Sequence, residues 1–367
     1  MTIVCGLTMI AALLTATAAP ATAGKLLVAN DGVDGPDCGS RAVPCRSINH
    51  AITRAAEGTT IVVGPGRYGP GDEQPPLDGC SDCLIDVAKR VTIVSRDGAG
   101  ATVLDAAGER IEGVLMRADG ATFGRKGKGF IVIGGGIGIA MRAAGLRVEG
   151  NWVVRNDSVA QASGILAADA ARSTILANMV SDNDSVGISL WSGGGHVVAN
   201  NRVSGHRGVG IYANESSARL TGNAVSSESV GIQLRGDHDL VGNAVVATDD
   251  VGIVLDHGET DPAHYEVSRN TITGSRGQGM HVQEGEPSLT VAVTKNGLFG
   301  NGLQNPANCG LLVERDVALT AVTLAKNFWG AAAGPAAVEP ADDACENVVA
   351  TGPFAKRERR LRLRSAQ

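Results

Sequence analysis

Trp191, Asn214, Arg235, Asp256, Gln283 and Glu314 follow one another at intervals of 23, 21, 21, 27 and 31 residues. Tyr212, Gln233 and His281 each stand two positions ahead of a member of that series. The residue types are those that handle sugars and acids. Indole and phenol faces offer large, flat, amphipathic surfaces on which a sugar ring can stack. A guanidinium such as Arg235 grips a carboxylate, for instance that of a uronate, through paired charge-assisted hydrogen bonds. Asp256, His281 and Glu314 are candidates for acid–base work, and Trp191, Tyr212, Asn214, Gln233, Arg235 and Gln283 for substrate binding. None of this operates unless the backbone brings residues more than a score of positions apart side by side, so the question becomes which element repeats at this interval.

The repeat is explicit in the sequence. Segments beginning Gly-apolar-x-apolar start at Gly164, Gly187, Gly210, Gly231, Gly252, Gly279 and Gly310, with spacings of 23, 23, 21, 21, 27 and 31. Each is followed by an Asn-x-apolar mark at Asn178, Asn201, Asn223, Asn243, Asn270, Asn296 and Asn327. Gly138-Ile139-Ala140-Met141 with Asn151 is one more copy, and Gly113-Val114-Leu115-Met116 an earlier, degraded one. The glycine cluster in "GFIVIGGGIGIA", Gly129 to Ala140, superficially matches a dinucleotide-binding turn. Gly134 and Gly136 supply two glycines of that fingerprint, but Ile139 stands at the third position and no crossing helix follows. The glycines are repeat turns.

Each unit holds two or three runs of four to five residues with alternating polarity, broken by Gly, Asn, Asp and Ser, which is strand chemistry. A unit of roughly 22 residues is too short for two antiparallel helices and suits one coil of a parallel β-helix, whose strands stack at about 4.8 Å. A leucine-rich repeat of similar length needs a dense leucine pattern that is absent. Alternation then places Ile188 and Leu190 inside, with Ser189 and Trp191 outside. Two outward columns follow: Ser189, Tyr212, Gln233, Val254, His281, Leu312; and Trp191, Asn214, Arg235, Asp256, Gln283, Glu314. Such a stack needs capped ends. Ile48, Ala51, Ile52 and Ala55 lie on one face of an expected short helix over Ser47–Ala56 that would cover the first coil.

Composition fits a thin, regular core: 50 glycines in 367 residues, against 3% aromatics. Residues 1–23 read as a secretory signal peptide, an apolar run with Ala21-Thr22-Ala23 ahead of Gly24. The expected organisation is 24–110 N-terminal cap and first coils, 111–330 β-helix repeats, 331–352 C-terminal cap and 353–367 a basic, solvated tail. That tail carries net +5 of a total charge of −6, leaving −11 for the body. No nucleic-acid partner and no membrane span in the mature chain are expected. Outside the signal, six cysteines fall as Cys38/Cys45, Cys80/Cys83 and Cys309/Cys345, an even count that reads as disulfides of an oxidising compartment. For Cys80-x-x-Cys83, a redox or metal half-site role stays open beside the structural one.

"DCGSRAVPCRSINHAITRAAEGTTIVVGPGRY" resembles the N-terminal cap of secreted right-handed parallel β-helix proteins of the pectin-lyase-like superfamily. "KNFWGAAAGP", Lys326 to Pro335, is similar to the Asn-x-Trp-Gly…Gly-Pro element that closes many of them. The resemblance implies an all-β, right-handed parallel β-helix (solenoid) with a capping helix, in a secreted or periplasmic protein. Its relatives include pectate lyases, polygalacturonases and uronate epimerases, so the implied role is to engage a polysaccharide, with an acidic one among the candidates, and to cleave or modify it as a lyase, glycoside hydrolase or epimerase. A fold alone does not assign the activity. The catalytic motifs of those families are incomplete: Asp249-Asp250 and Gly205-His206 occur in the wrong order for a polygalacturonase, Ala263 interrupts the epimerase-like Asp-Pro-His in "TDPAH", and no calcium-binding carboxylate cluster is visible. No cofactor is expected, a bound calcium remains an open alternative, and His257, His264 and His281 lack metal-site spacing. The competing class is a non-catalytic structural, surface or NosD-like periplasmic maturation protein. Non-reducing peptide mapping should return Cys38–Cys45, Cys80–Cys83 and Cys309–Cys345, the last contributing a few kcal/mol because it closes the longest loop. Cross-paired peptides or free thiols would overturn this framework.

Overall fold

The structure, a computed structural model, describes residues 24–75, 80–157, 162–256, 263–283, 289–302, 310–314, 322–331 and 355–356. The signal segment, the Cys309/Cys345 pair, His257, nearly all of the C-terminal cap and most of the basic tail lie outside the described residues. Among the described residues, 28 strands join into one sheet in which every strand pairing is parallel. Each coil holds short strands separated by sharp corners, as in Val186–Trp191, His196–Ala199 and Arg202–Ser204.

The Gly-apolar-x-apolar segments stack in register as expected. Ile139, Ile165, Ile188, Ile211, Ile232, Ile253, Met280 and Leu311 pair in succession, one per coil. The degraded copy belongs to the same column, since Val114 pairs with Ile139. One coil earlier, in the strand Cys83–Val87, Ile85 pairs with Val114; its glycine-free sequence concealed it. The leading glycines are required by packing rather than by a left-handed backbone. A Cβ on Gly210 would lie 2.5 Å from Val225 Cγ1 and 2.7 Å from the Gly231 carbonyl oxygen, and Gly187 and Gly231 are confined alike. The glycine lets the strand start lie directly against the valine of a later strand of the same coil, Val225 in Ala224–Ser226 for Gly210.

The recurring asparagines form a buried ladder. In each rung the Asn Oδ1 accepts from the backbone N–H and the Nδ2 of the asparagine one coil before, while its own Nδ2 also donates to a strand carbonyl. For Asn223, Oδ1 receives Asn201 N and Nδ2, both at 3.0 Å, and Nδ2 reaches Asn243 Oδ1 at 2.9 Å and Val198 O at 2.8 Å. The chain of contacts runs from Asn151 to Asn327. The residue before each rung has positive φ, as at Ala177, Asn200, Arg269, Lys295 and Lys326, and glycines serve at 150, 222 and 242. That left-handed residue swings the chain through the corner and turns the following asparagine inward.

The expected capping helix forms over Ile48–Arg54, with Ser47 as N-cap accepting from His50 N and with Ile48, Ala51, Ile52 and Ala55 buried. Glu73 adds a second cap, its two carboxylate oxygens accepting from Ile48 N at 3.0 Å and Asn49 N at 2.9 Å. Asn49 ties the helix to the Cys83–Val87 strand, donating to Leu84 O and accepting from Asp86 N. The Cys38–Cys45 disulfide is buried beside it, and the Cys80–Cys83 pair is also bonded. At the other end Trp329 is buried under the last described coil, directly after the final rung, Asn327.

Replacing Asn223 by alanine strands the Val198 carbonyl and the Asn201 donors inside the protein, at about 3 kcal/mol. Denaturant unfolding of Asn223→Ala should show a loss of that order, and a loss below that of an exposed-surface substitution would remove the ladder from the list of stabilising elements.

Candidate functional site

The register that stacks the isoleucines fixes the outward columns. Ser189 pairs with Tyr212, Tyr212 with Gln233, Gln233 with Val254, Val254 with His281 and His281 with Leu312. In the second column Trp191 pairs with Asn214, and Arg235 with Asp256. Gln283 and Glu314 continue it, their backbone N–H groups donating to Leu255 O and Val282 O. The nine sequence-derived candidates lie on this side of the coil, but the expected column is broken once: the pairing shifts between Ala213 and Ser216, so Asn214 is not paired with Arg235. Both columns are partly covered: Ser189 and Val254 of the first, and Asn214 and Asp256 of the second, were expected to be outward yet are buried. Trp191 stands out from the second column.

Three groupings occupy this face. Trp191, 46% exposed, leans over Tyr212 with ring centroids 5.4 Å apart and planes at 59°. Burial raises the Tyr212 phenol above its ordinary value; Arg235 opposes this, while Asp256 and Glu215 add to it. One coil on, Arg235 Nε donates to Asp256 Oδ2 at 2.6 Å. The Asp256 backbone carbonyl accepts from the Tyr265 hydroxyl, which also donates to Leu234 O from inside the coil. Burial pushes the Tyr265 phenol upward, and it acts as a fixed donor. In the last described coils His281 Nε2 lies 2.8 Å from Glu314 Oε1. A carboxylate accepting from Nε2–H sets the imidazole tautomer and leaves a lone pair on Nδ1, the arrangement of a proton acceptor.

Of the histidine set, the two described members, His264 and His281, are not brought together. His264 lies on the strand His264–Ser268, with Nδ1 2.7 Å from Thr290 Oγ1, away from the His281 strand. Among the described residues the one group close enough to share a metal ion is Asp34, Cys38 and His50. Cys38 is disulfide-bonded and Asp34 Oδ1 is engaged by Arg46 N and Ser47 N, so these residues serve the N-terminal cap.

Two features escaped the repeat pattern. The second column extends backwards from Trp191 through Ala168, Arg142 and Arg117. Arg117 is forked onto buried Asp86 by two 2.8 Å bonds, and Arg142 donates to buried Glu112 at 2.9 Å. A second polar ladder stands five residues after the asparagines, at Asn156, Asn183, His206 and Glu228; only the constant offset of five could have shown it. Here Gly205-His206 has a structural role. Asn183 Oδ1 accepts from Asn156, so its Nδ2 donates to His206 Nε2 at 3.2 Å; His206 Nδ1–H and N–H then both donate to Glu228.

Comparison with known proteins follows the geometry. The profile of a family described as "Right handed beta helix region" matches residues 112–287. Pectate lyase Pel9A superposes with a TM-score of 0.56 at 12% identity, covering 83% of this chain and 79% of that one. The A-module of mannuronan C-5 epimerase AlgE4 from Azotobacter vinelandii gives 0.54 at 17% identity, covering 82% and 91%. The Dettilon tailspike protein gives 0.54 at 13% identity, covering 82% and 69%. The fold is a right-handed parallel β-helix. A search of curated protein sequences found no match. Among the described residues no helix is long and apolar enough to cross a membrane.

Burial raises the Glu228 carboxyl above its ordinary value of 4.5, outweighing the lowering by His206. The folded state thus holds that proton more tightly than the unfolded chain, so its stabilising contribution is complete at low pH and is lost as pH rises through the folded-state value. Stability of the wild type measured against Glu228→Gln should decline over that interval. A pH profile that is parallel in the two proteins would show that Glu228 titrates alike folded and unfolded.

Proposed function

We propose that the protein binds a polysaccharide, an acidic one by the presence of Arg235, along the face running from Trp191 to Glu314. The observation that carries this reading is the exposed indole of Trp191 standing over Tyr212 on the same face as the Arg235–Asp256 and His281–Glu314 pairs. An exposed indole beside a phenol offers flat amphipathic faces on which a sugar ring can stack. Support also comes from the fold shared with the pectate lyase and the mannuronan epimerase module.

In this reading the sugar ring stacks on Trp191 and Tyr212, with Asn214, Gln233 and Gln283 supplying hydroxyl partners. Arg235, steadied by Asp256, meets the uronate carboxylate. The His281–Glu314 dyad is the part of the face suited to proton transfer: the imidazole takes a proton at Nδ1 while Glu314 stabilises the charge formed. Asp256 then serves to position Arg235 rather than to carry a proton itself. Proton removal beside a uronate carboxylate leads to elimination or epimerisation.

The test is binding and turnover on a panel of uronate and neutral polysaccharides. Trp191→Ala should lower affinity at least about tenfold, the loss of one stacked anchor. His281→Ala should retain binding and lose release of unsaturated uronate or C5 proton exchange. Wild-type binding without turnover would make the protein a binding module. Absence of binding to the whole panel would leave the structural role alone.

A further inference from the structure

The third strand of each coil carries another outward surface, and over four coils it is apolar. Val103, Ile131, Trp152 and Met179 pair there in succession. Ile133 and Val154 stand two residues along the strands of Ile131 and Trp152 and point the same way, because Val132 and Val153 between them are in the core. Trp152 is 41% exposed and the other five are half-buried. Three coil intervals make the strip about 14 Å long. Arginines bound it at both ends: exposed Arg67 precedes Val103 in the column, and exposed Arg202 follows Met179.

A cationic loop flanks the strip. Arg125, Lys126 and Lys128 are exposed in the turn that leads into the Ile131 strand, and among the described residues none of them forms an ion pair. The loop is wedged between neighbouring coils. Its Gly127 carbonyl oxygen lies 3.0 Å from where a Cβ on Gly98 would stand, and its Arg125 carbonyl oxygen 2.5 Å from that of Gly150, two residues ahead of Trp152. The Trp152 indole reaches back to within 4.0 Å of the same position on Gly100. Indole and cations thus share one edge of the strip. Of the nearby carboxylates, Asp97 is held by Arg96, Asp105 by Arg67 and Glu149 by Arg147. At the opposite edge Arg155 and Asp182, one position beyond the Val154–Ser181 pair, lie in adjacent coils and offset each other.

An aliphatic strip with one projecting indole and an unmatched cationic margin has the polarity of a lipid interface: apolar side chains and tryptophan suit the boundary between headgroups and acyl chains, and lysine and arginine suit anionic headgroups. Among its six outward side chains there is no carboxylate, amide or hydroxyl to pair with the hydroxyls of a sugar. We propose that the protein docks peripherally through this face on an anionic lipid surface, with Trp152 at the headgroup boundary and Arg125, Lys126 and Lys128 on the headgroup phosphates. This is independent of the polysaccharide reading, because Trp191 lies on the first strand of its coil and not on the third.

Sedimentation with vesicles of phosphatidylglycerol and phosphatidylcholine in equal parts, against vesicles of phosphatidylcholine alone, provides the test. The protein should pellet with the anionic vesicles and be released by added salt. Each cation near such a surface counts for about fivefold in partitioning. The variant Arg125→Gln/Lys126→Gln/Lys128→Gln should therefore partition at least about tenfold less, and Trp152→Ser about tenfold less. All four side chains are exposed, so neither variant should lower the melting temperature. In a Trp191→Phe background the Trp152 emission should move to the blue on anionic vesicles. No pelleting with those vesicles would overturn the proposal. Pelleting that both variants retain would overturn it too, and would assign lipid binding to another basic segment such as the C-terminal tail. A blue shift of Trp152 with alginate or polygalacturonate, and none with vesicles, would give the face to a polysaccharide and overturn the lipid assignment.

Discussion

Everything on the outer face depends on an interaction inside it. A parallel coil places like residues on like, and its corners bury backbone groups that no strand partner can reach. The asparagine ladder from Asn151 to Asn327 satisfies them with one side chain per coil. Each Nδ2 bridges two neighbours and each Oδ1 accepts twice, so a slip of one residue would break bonds in adjacent coils at once. Buried polar groups left without partners cost more than a formed bond returns, which makes the ladder a register lock more than a source of net stability.

Register is what turns a sequence interval into a site. Arg235 and Asp256 are 21 residues apart and paired, because one coil separates them. The longer loops that separate later coils do not disturb this; His281 and Glu314 are 33 residues apart and still meet across the two columns. The Arg117–Asp86 and Arg142–Glu112 pairs continue the same logic toward the N-terminal cap, where Asn49 joins the helix to the strand that carries Asp86. Cap helix, Asp86 strand and Arg117 are thus directly connected.

The coil period, the inward Ile/Leu column, the asparagine marks and the helix over the first coil were legible because each repeats a physical requirement. The leading glycines could be located but not explained. At Gly164, Gly187, Gly210 and Gly231 the reason, a valine methyl 2.4–2.5 Å from where a Cβ would be, exists only after stacking. Outwardness was legible as direction and not as exposure: Ser189, Val254 and Asn214 leave the core side yet are covered. The Cys83–Val87 coil was hidden because it lacks the glycine, and the His206–Glu228 rung because its residue types change from coil to coil while its offset does not. The charged pairs at Arg117 and Arg142 required the register of coils whose repeat signal is weakest.

The central claim is that a sugar ring covers Trp191. Of three tryptophans, Trp329 is buried, and Trp152, the other exposed one, lies on a separate strand between Ile131 and Met179. In a Trp152→Phe background, acrylamide quenching of fluorescence therefore reports on Trp191. Titration with uronate oligosaccharides should shift the emission to the blue and protect it from quenching, saturating with the binding isotherm. Saturable binding that leaves Trp191 as quenchable as in the free protein would contradict the account.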